Sequence, residues 1–136
     1  MRYLIDTNVF INLIKGYDVS DDVKNILEDY YNIIFVSSES LKEYFHLLQT
    51  GRVIPKRDYL LLDVFDLLEN TFGFNIKYVN KEHLSTFSKL SLVEGHNDPS
   101  DRLIISQALT EKMPLISSDT KFPGYRKHGL ELIINR

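Results

Sequence analysis

Cysteine is absent from the 136 residues, which excludes disulfides and thiolate metal sites and leaves hard oxygen donors as the available metal chemistry. No apolar run approaches the roughly 18 residues that span a bilayer. The start "MRYLID" reaches an aspartate after too few apolar residues for a signal peptide, so a cytoplasmic protein with no membrane partner is expected. Long blocks of lysine or arginine are missing as well. With a net charge of −3, the chain is not built to coat nucleic acid by bulk electrostatics. A phosphate-bearing partner would have to be held locally, by metal ions that reverse the sign of an acidic pocket and by a few flanking cations.

What is present is ordinary globular composition: 43% apolar and 26% charged residues, with no repeat period or low-complexity tract. The length fits one domain, residues 1–136, able to bury a substantial core. Arg2 to Asp6 reads as a short buried strand, and Asn8 to Ile14 as a helix that Gly16 ends. From an N-cap at Ser20, the residues Val23, Ile26, Leu27, Tyr30 and Tyr31 follow helical spacing. "IIFVS" is the second strand. Ser38 caps a helix running to about Gln49, with Leu41, Phe45 and Leu48 on one face. Asp58 to Glu69 reads as an apolar helix, "FNIKYV" as a third strand, and Asn80 caps a helix through Leu90. Asp98 and Pro99 occupy the cap and first positions of the next helix, with Asp101 three residues past the cap. "PLISS" and "LELII" supply the fourth and fifth strands. Strands alternating with helices predict an α/β fold, a three-layer α/β/α sandwich around a mainly parallel sheet of about five strands.

Four acids stand out in that pattern. Asp6 and Asp119 each directly follow a strand, while Glu43 and Asp101 lie near the start of helices that follow loops. In such sheets the ligand crevice lies beyond the carboxyl ends of the strands, so all four can face one end. Mutual repulsion makes that arrangement costly unless a cation fills it, which points to a divalent metal. Taken singly, each acid also suits a turn or a helix cap, Asp101 especially. Glu39 and Glu43 are four residues apart on one helix, and the spacing leaves open which of them points inward.

The segments "LIDTNVFI", "SSESLKE", "HNDPSDRLIISQAL" and "LISSD" resemble the successive motifs of PIN-domain nucleases, and most closely the VapC-like toxins of toxin–antitoxin modules. They run in the family's order from residue 3 to about residue 122. The resemblance implies a metal-dependent ribonuclease that hydrolyses RNA phosphodiester bonds with Mg2+ or Mn2+, with Asp6, Glu43, Asp101 and Asp119 as catalytic metal ligands. It favours Glu43 over Glu39. Asn8 and Ser117 match polar residues that orient ligands or water in the family. The chain departs from the pattern at Ser100, where phenylalanine is usual. The resemblance also implies a homodimer and neutralisation by a small antitoxin protein. Carboxylates and water suit these hard ions, and two ions about 3.5–4 Å apart can activate a water and stabilise the leaving oxygen.

Around the acids, Arg102 and Lys121, with His96, Arg126 and Lys127 behind them, are candidates for RNA phosphates. Each has a plainer alternative as a solvated charge or ion pair. Arg102 could neutralise Asp98, and His96 could cap the following turn. Of the aromatic residues, Tyr30, Tyr31, Tyr44, Phe45 and Phe65 are expected in the core or a subunit contact, and Phe122 and Tyr125 beside the substrate. Two other readings compete. A haloacid-dehalogenase-like or receiver-like phosphohydrolase wants acidic residues that "DTN" and its surroundings do not supply. A catalytically silent PIN-like module binding RNA or protein would be expected to lack one or more of the four acids.

Overall fold

A computed structural model describes residues 1–60 and 63–136. β1 (Arg2–Ile5) leads straight into α1 (Thr7–Lys15), followed by α2 (Asp21–Glu28), β2 (Ile33–Ser37) and α3 (Ser38–Gln49). After a 3-10 turn at Arg57–Tyr59 come α4 (Val64–Asp66), a π-helical continuation over Leu67–Phe72, β3 (Asn75–Lys77) and α5 (Lys81–Lys89). The chain finishes with α6 (Pro99–Glu111), β4 (Leu115–Ser117), a 3-10 segment at Phe122–His128 and β5 (Leu132–Ile134).

All four strand pairings are parallel, in the order β3-β2-β1-β4-β5. Because successive side chains leave a strand on opposite faces, Ile5 and Leu4 serve different cores. Ile5, Ile34, Val36 and Ile116 pack with Val9, Phe10 and Ile14 of α1, Leu41 and Tyr44 of α3, and Leu67 and Leu68. Leu4 and Leu115 pack on the other side with Ile104, Ile105 and Ala108 of α6 and with Phe122 and Tyr125. Each fully buried aliphatic side chain contributes roughly 1.5–3 kcal/mol, and a sheet covered on both faces is what an apolar, β-branched strand such as "YLI" requires. The three-layer α/β/α fold expected from the sequence is the one observed.

Several local boundaries differ from the sequence pattern, each for a visible reason. α2 stops at Glu28 because the Asp29 carboxylate accepts from Tyr31 N at 2.9 Å and the Asp29 carbonyl from Asn32 N at 3.0 Å. That turn swings Tyr30 and Tyr31 outward, 93% and 85% exposed and packed edge to face against each other, not into the core. In α3 the cap is Ser37, whose Oγ accepts from Glu39 N at 3.0 Å, while Ser38 Oγ accepts from Val79 N. The buried face is accordingly Ser40, Leu41 and Tyr44, and Phe45 is left half exposed against Phe65. The helix expected over Asp58–Glu69 is interrupted: Asp63 accepts from Phe65 N at 2.8 Å and starts a new helix there. Leu61 and Leu62 of that expectation lie outside the described residues. β3 is three residues long, because Val79 N turns to Ser38 and not to the sheet.

α5 and α6 start as their cap residues dictate. Asn80 and His83 form a reciprocal capping box, and Asp98 Oδ1 accepts from Asp101 N at 3.0 Å with Pro99 in the first turn. Caps of this kind contribute about 1 kcal/mol each. Among the described residues no helix is long and apolar enough to cross a membrane.

Candidate functional site

Asp6 sits where β1 ends and α1 begins, and it is 2% exposed. As the N-cap of α1 it accepts from Thr7 N through Oδ1 at 2.7 Å, while Oδ2 accepts from Ser117 Oγ at 2.8 Å. Ser117 closes β4, the strand next to β1, and its Oγ also accepts from Asp119 N at 3.0 Å. Asp119 Oδ1 in turn accepts from Lys121 N at 2.8 Å. One buried hydroxyl thus sets both post-strand acids, and the parallel pairing of β1 with β4 places them side by side. Thr7 Oγ1 lies 2.8 Å from Ser40 Oγ, a buried contact that ties the start of α1 to α3. Neither Thr7 nor Ser40 has a role in the sequence reading, although both stand inside the motifs that carry the acids.

The helices bring in the remaining acids. Burial, followed by the charges of Asp101 and Asp98, pushes Glu43 above the usual carboxylate range, with Lys42 opposing. Asp101 is raised by burial and by Asp98, with His96 opposing. Burial dominates at Asp6 as well, moving it from 3.8 to about 7, with Ser117 opposing and the charges of Asp101 and Asp119 adding to the rise. The four acids therefore share one electrostatic field at the carboxyl end of the sheet. Glu39 is occupied elsewhere: Lys42 Nζ is 2.9 Å from its Oε2, and Ser100 Oγ donates to the same oxygen at 3.2 Å. Asp98 is exposed and caps α6.

His96 is buried, 5% exposed, with Nδ1 2.6 Å from Tyr125 Oη and Nε2 3.3 Å from Asp101 Oδ2. Candidate ligand atoms of His96, Asp101 and Asp119 lie within 4.8 Å of one another. Tyr125 and Phe122 are fully buried, so neither lies open to a substrate as the sequence reading expected. Their apolar surface fills the core under β4, and only the Tyr125 hydroxyl reaches toward the acids. No sequence signal could pair Tyr125 with a histidine 29 residues away.

Arg102 points away from the open face. It donates to the Leu90 carbonyl at 2.9 Å and lies over the Phe87 ring, and it makes no ion pair with Asp98 among the described residues. Lys121, Arg126 and Lys127 are exposed, with Arg126 reaching the Leu132 carbonyl. Asn8 is exposed in the first turn of α1, with no side-chain hydrogen bond among the described residues. A shallow cleft of about 370 Å³ beside the acids is lined by Lys42, Glu43, His46, Asp98 and Ser100, of which Lys42 and His46 had no place in the sequence reading. The larger groove, about 630 Å³, lies at the other end of α1 around Leu13, Tyr17 and Phe72.

Residues 3–127 match the family model described as PIN domain. No curated protein matches the chain. Among solved structures, the chain is similar to one in VapBC2 from Rickettsia felis bound to a DNA fragment from their promoter, with 23% identity, 100% of both chains covered and a TM-score of 0.74. Similar too are chains of VapBC-5 from Mycobacterium tuberculosis (17% identity, 98% of each chain, TM-score 0.63) and of VapBC-1 from nontypeable Haemophilus influenzae (18%, 98% of each, 0.58). At these identities the likeness concerns the fold. The family match spans nearly the whole chain, and this protein belongs to the PIN domain family.

Proposed function

We propose that this protein is a metal-dependent endoribonuclease acting as the toxin of a toxin–antitoxin module, with Asp6, Glu43, Asp101 and Asp119 as its reactive acids. The observation that carries the reading is the state of Asp6: buried, held by two donors, and pushed to about 7 by burial and by the neighbouring acids. Native structures keep a buried carboxylate among like charges when a cation offsets the repulsion. The donor set fits Mg2+ or Mn2+, since the four acids offer only oxygen. Asp6, Asp101 and Asp119 would hold the ion, with Glu43 completing the set.

A divalent ion there supplies positive charge that offsets the acids and polarises a phosphodiester oxygen. The chain's own groups do the rest. Ser117 and Thr7 N fix both oxygens of Asp6, so the carboxylate needs no reorganisation when the RNA strand arrives. Glu43, partly buried and with its pKa raised by burial and by Asp101, would serve as the acceptor of a proton from the attacking water. Lys42 lines the cleft with Glu43, Lys121 follows Asp119 in the chain, and both would give the RNA backbone cationic contacts on otherwise acidic ground.

The reading includes a single functional unit over residues 1–136 in the cytoplasm, a homodimer, and a small antitoxin as protein partner. The similar solved structures named VapBC support the antitoxin. The half-exposed pair Phe45 and Phe65 offers an apolar surface for a second subunit. The test is cleavage of a mixed RNA pool with Mg2+ or Mn2+, beside a chelator control and the Asp6→Asn and Asp101→Asn variants. Metal-dependent cutting lost in both folded variants is expected. A folded, antitoxin-free protein that cuts no RNA in either metal would favour the binding-module reading.

A further inference from the structure

His96, Asp101 and Asp119 are close enough to hold one ion between them, and a histidine in that position would ordinarily count as a ligand. The hydrogen-bond network behind the imidazole argues against it. Tyr125 Oη lies 2.6 Å from His96 Nδ1, and both groups are buried. The imidazole is flanked edge-on by the rings of Phe122 and Tyr125, at 5.6 and 5.3 Å between centroids. The phenol itself is polarised from behind. Arg102, anchored by the Leu90 carbonyl and the Phe87 ring, places its positive charge near the hydroxyl and opposes the rise that burial imposes on Tyr125. A cation beside a phenol attracts its oxygen lone pairs and turns the O–H proton away, here toward His96 Nδ1.

We propose that Tyr125 is a positioning residue acting through His96. It fixes the imidazole as the Nε2–H tautomer, so that His96 donates to Asp101 Oδ2 and holds in place the carboxylate that would take the ion. The proposal rests on the reading of Asp101 as a metal-facing acid. With its proton on Nε2, the histidine has no lone pair to offer on the side of the acids. The opposite tautomer would aim Nδ1–H and the guanidinium charge at one phenolic oxygen. It would also strand the phenol proton, because no other acceptor lies within reach of Oη among the described residues. Asp101 is then held twice, by His96 on its carboxylate and by the Asp98 cap on its backbone N. The packing that delivers Tyr125 depends on Gly124, where a Cβ would stand 2.7 Å from Val93 Cγ1 in the loop that carries His96.

Two measurements on the full chain decide it. Long-range 1H–15N spectra of the imidazoles, with His96→Gln used for assignment, report the tautomer before and after saturation with Mg2+. Calorimetric Mn2+ titration of wild type, Tyr125→Phe, His96→Gln and His96→Ala reports affinity. The expected results are an Nε2–H signal for His96 that survives Mg2+ saturation, and Mn2+ affinity reduced about tenfold or more in Tyr125→Phe and His96→Ala, the range typical of groups that orient a ligand. In His96→Gln the amide N–H can replace the donor, and affinity should stay within about threefold of wild type by the same logic. Loss of the Nε2–H signal on Mg2+ binding, or Tyr125→Phe affinity equal to wild type, overturns the proposal while leaving the metal site in place. Wild type that binds neither ion overturns the metal reading, and the proposal with it.

Discussion

Ser117 Oγ donates to Asp6 Oδ2 at 2.8 Å across 111 residues of sequence, and the same oxygen accepts from Asp119 N at 3.0 Å. A single buried hydroxyl therefore ties together two acids that follow different strands. It also opposes the rise that burial imposes on Asp6.

Ser117→Ala removes the donor to Asp6 and the acceptor for Asp119 N. Leaving buried polar groups unpaired costs about 1–3 kcal/mol each. The variant should remain folded, lose about that much in denaturant unfolding, and bind Mn2+ more weakly. Unchanged stability together with unchanged Mn2+ affinity would show that the hydroxyl does not organise the acids.

Asp6 predicts an unusual dependence of metal-free stability on pH. Its folded value of about 7 lies above the ordinary 3.8, so between those values the folded protein binds the extra proton. Its stabilising contribution is full below about pH 4 and is lost as pH rises through 7, by up to about 4 kcal/mol. Glu43 and Asp101 are shifted in the same direction, and Glu111, lowered chiefly by its hydrogen bond with His83, in the opposite one. Urea unfolding in chelator at pH 5.5 and pH 8, on the order of this window, should show wild type losing stability on going alkaline and Asp6→Asn losing much less. Parallel curves for the two proteins would refute the assignment.

Addition of Mg2+ or Mn2+ should reverse that loss. An ion binding only the folded state at about a hundred times its Kd stabilises by about 2.7 kcal/mol. The melting temperature should rise with either ion, more at pH 8 than at pH 6, because protons compete for the same oxygens. A chelator should abolish the rise, and Asp6→Asn should show little of it.

Glu39 and Glu43 should separate cleanly. Glu39 is engaged by Lys42 and Ser100, whereas Glu43 shares the field of Asp101. Glu43→Gln is expected to reduce RNA cleavage by about 10²–10⁴-fold, the usual worth of a proton-transfer group. Glu39→Gln should stay within about threefold, since a half-exposed ion pair contributes little. Equal losses in both variants would mean that the clamp on Glu39, not the identity of the acid, matters.

The sequence by itself determined the architecture and the four acidic positions. Apolar, β-branched runs alternating with helical periods demand a parallel sheet covered on both faces, and that sheet puts every post-strand residue at one end. Cap residues such as Asn80 and Asp98 act within one turn of chain, so their helices were legible where the caps were. Helix ends set by a competing local hydrogen bond were less so: Asp29 ended α2 early and left Tyr30 and Tyr31 in solvent. Only the tertiary structure decided which groups stand behind the acids. The contacts of Ser117 with Asp6, Thr7 with Ser40, Tyr125 with His96, and Arg102 with Leu90 join segments 12 to 111 residues apart. Periodicity and capping are properties of neighbours along the chain. Burial and long-range hydrogen bonding exist only once the chain has folded, and they are what move Asp6 to about 7 and turn His96 toward Asp101.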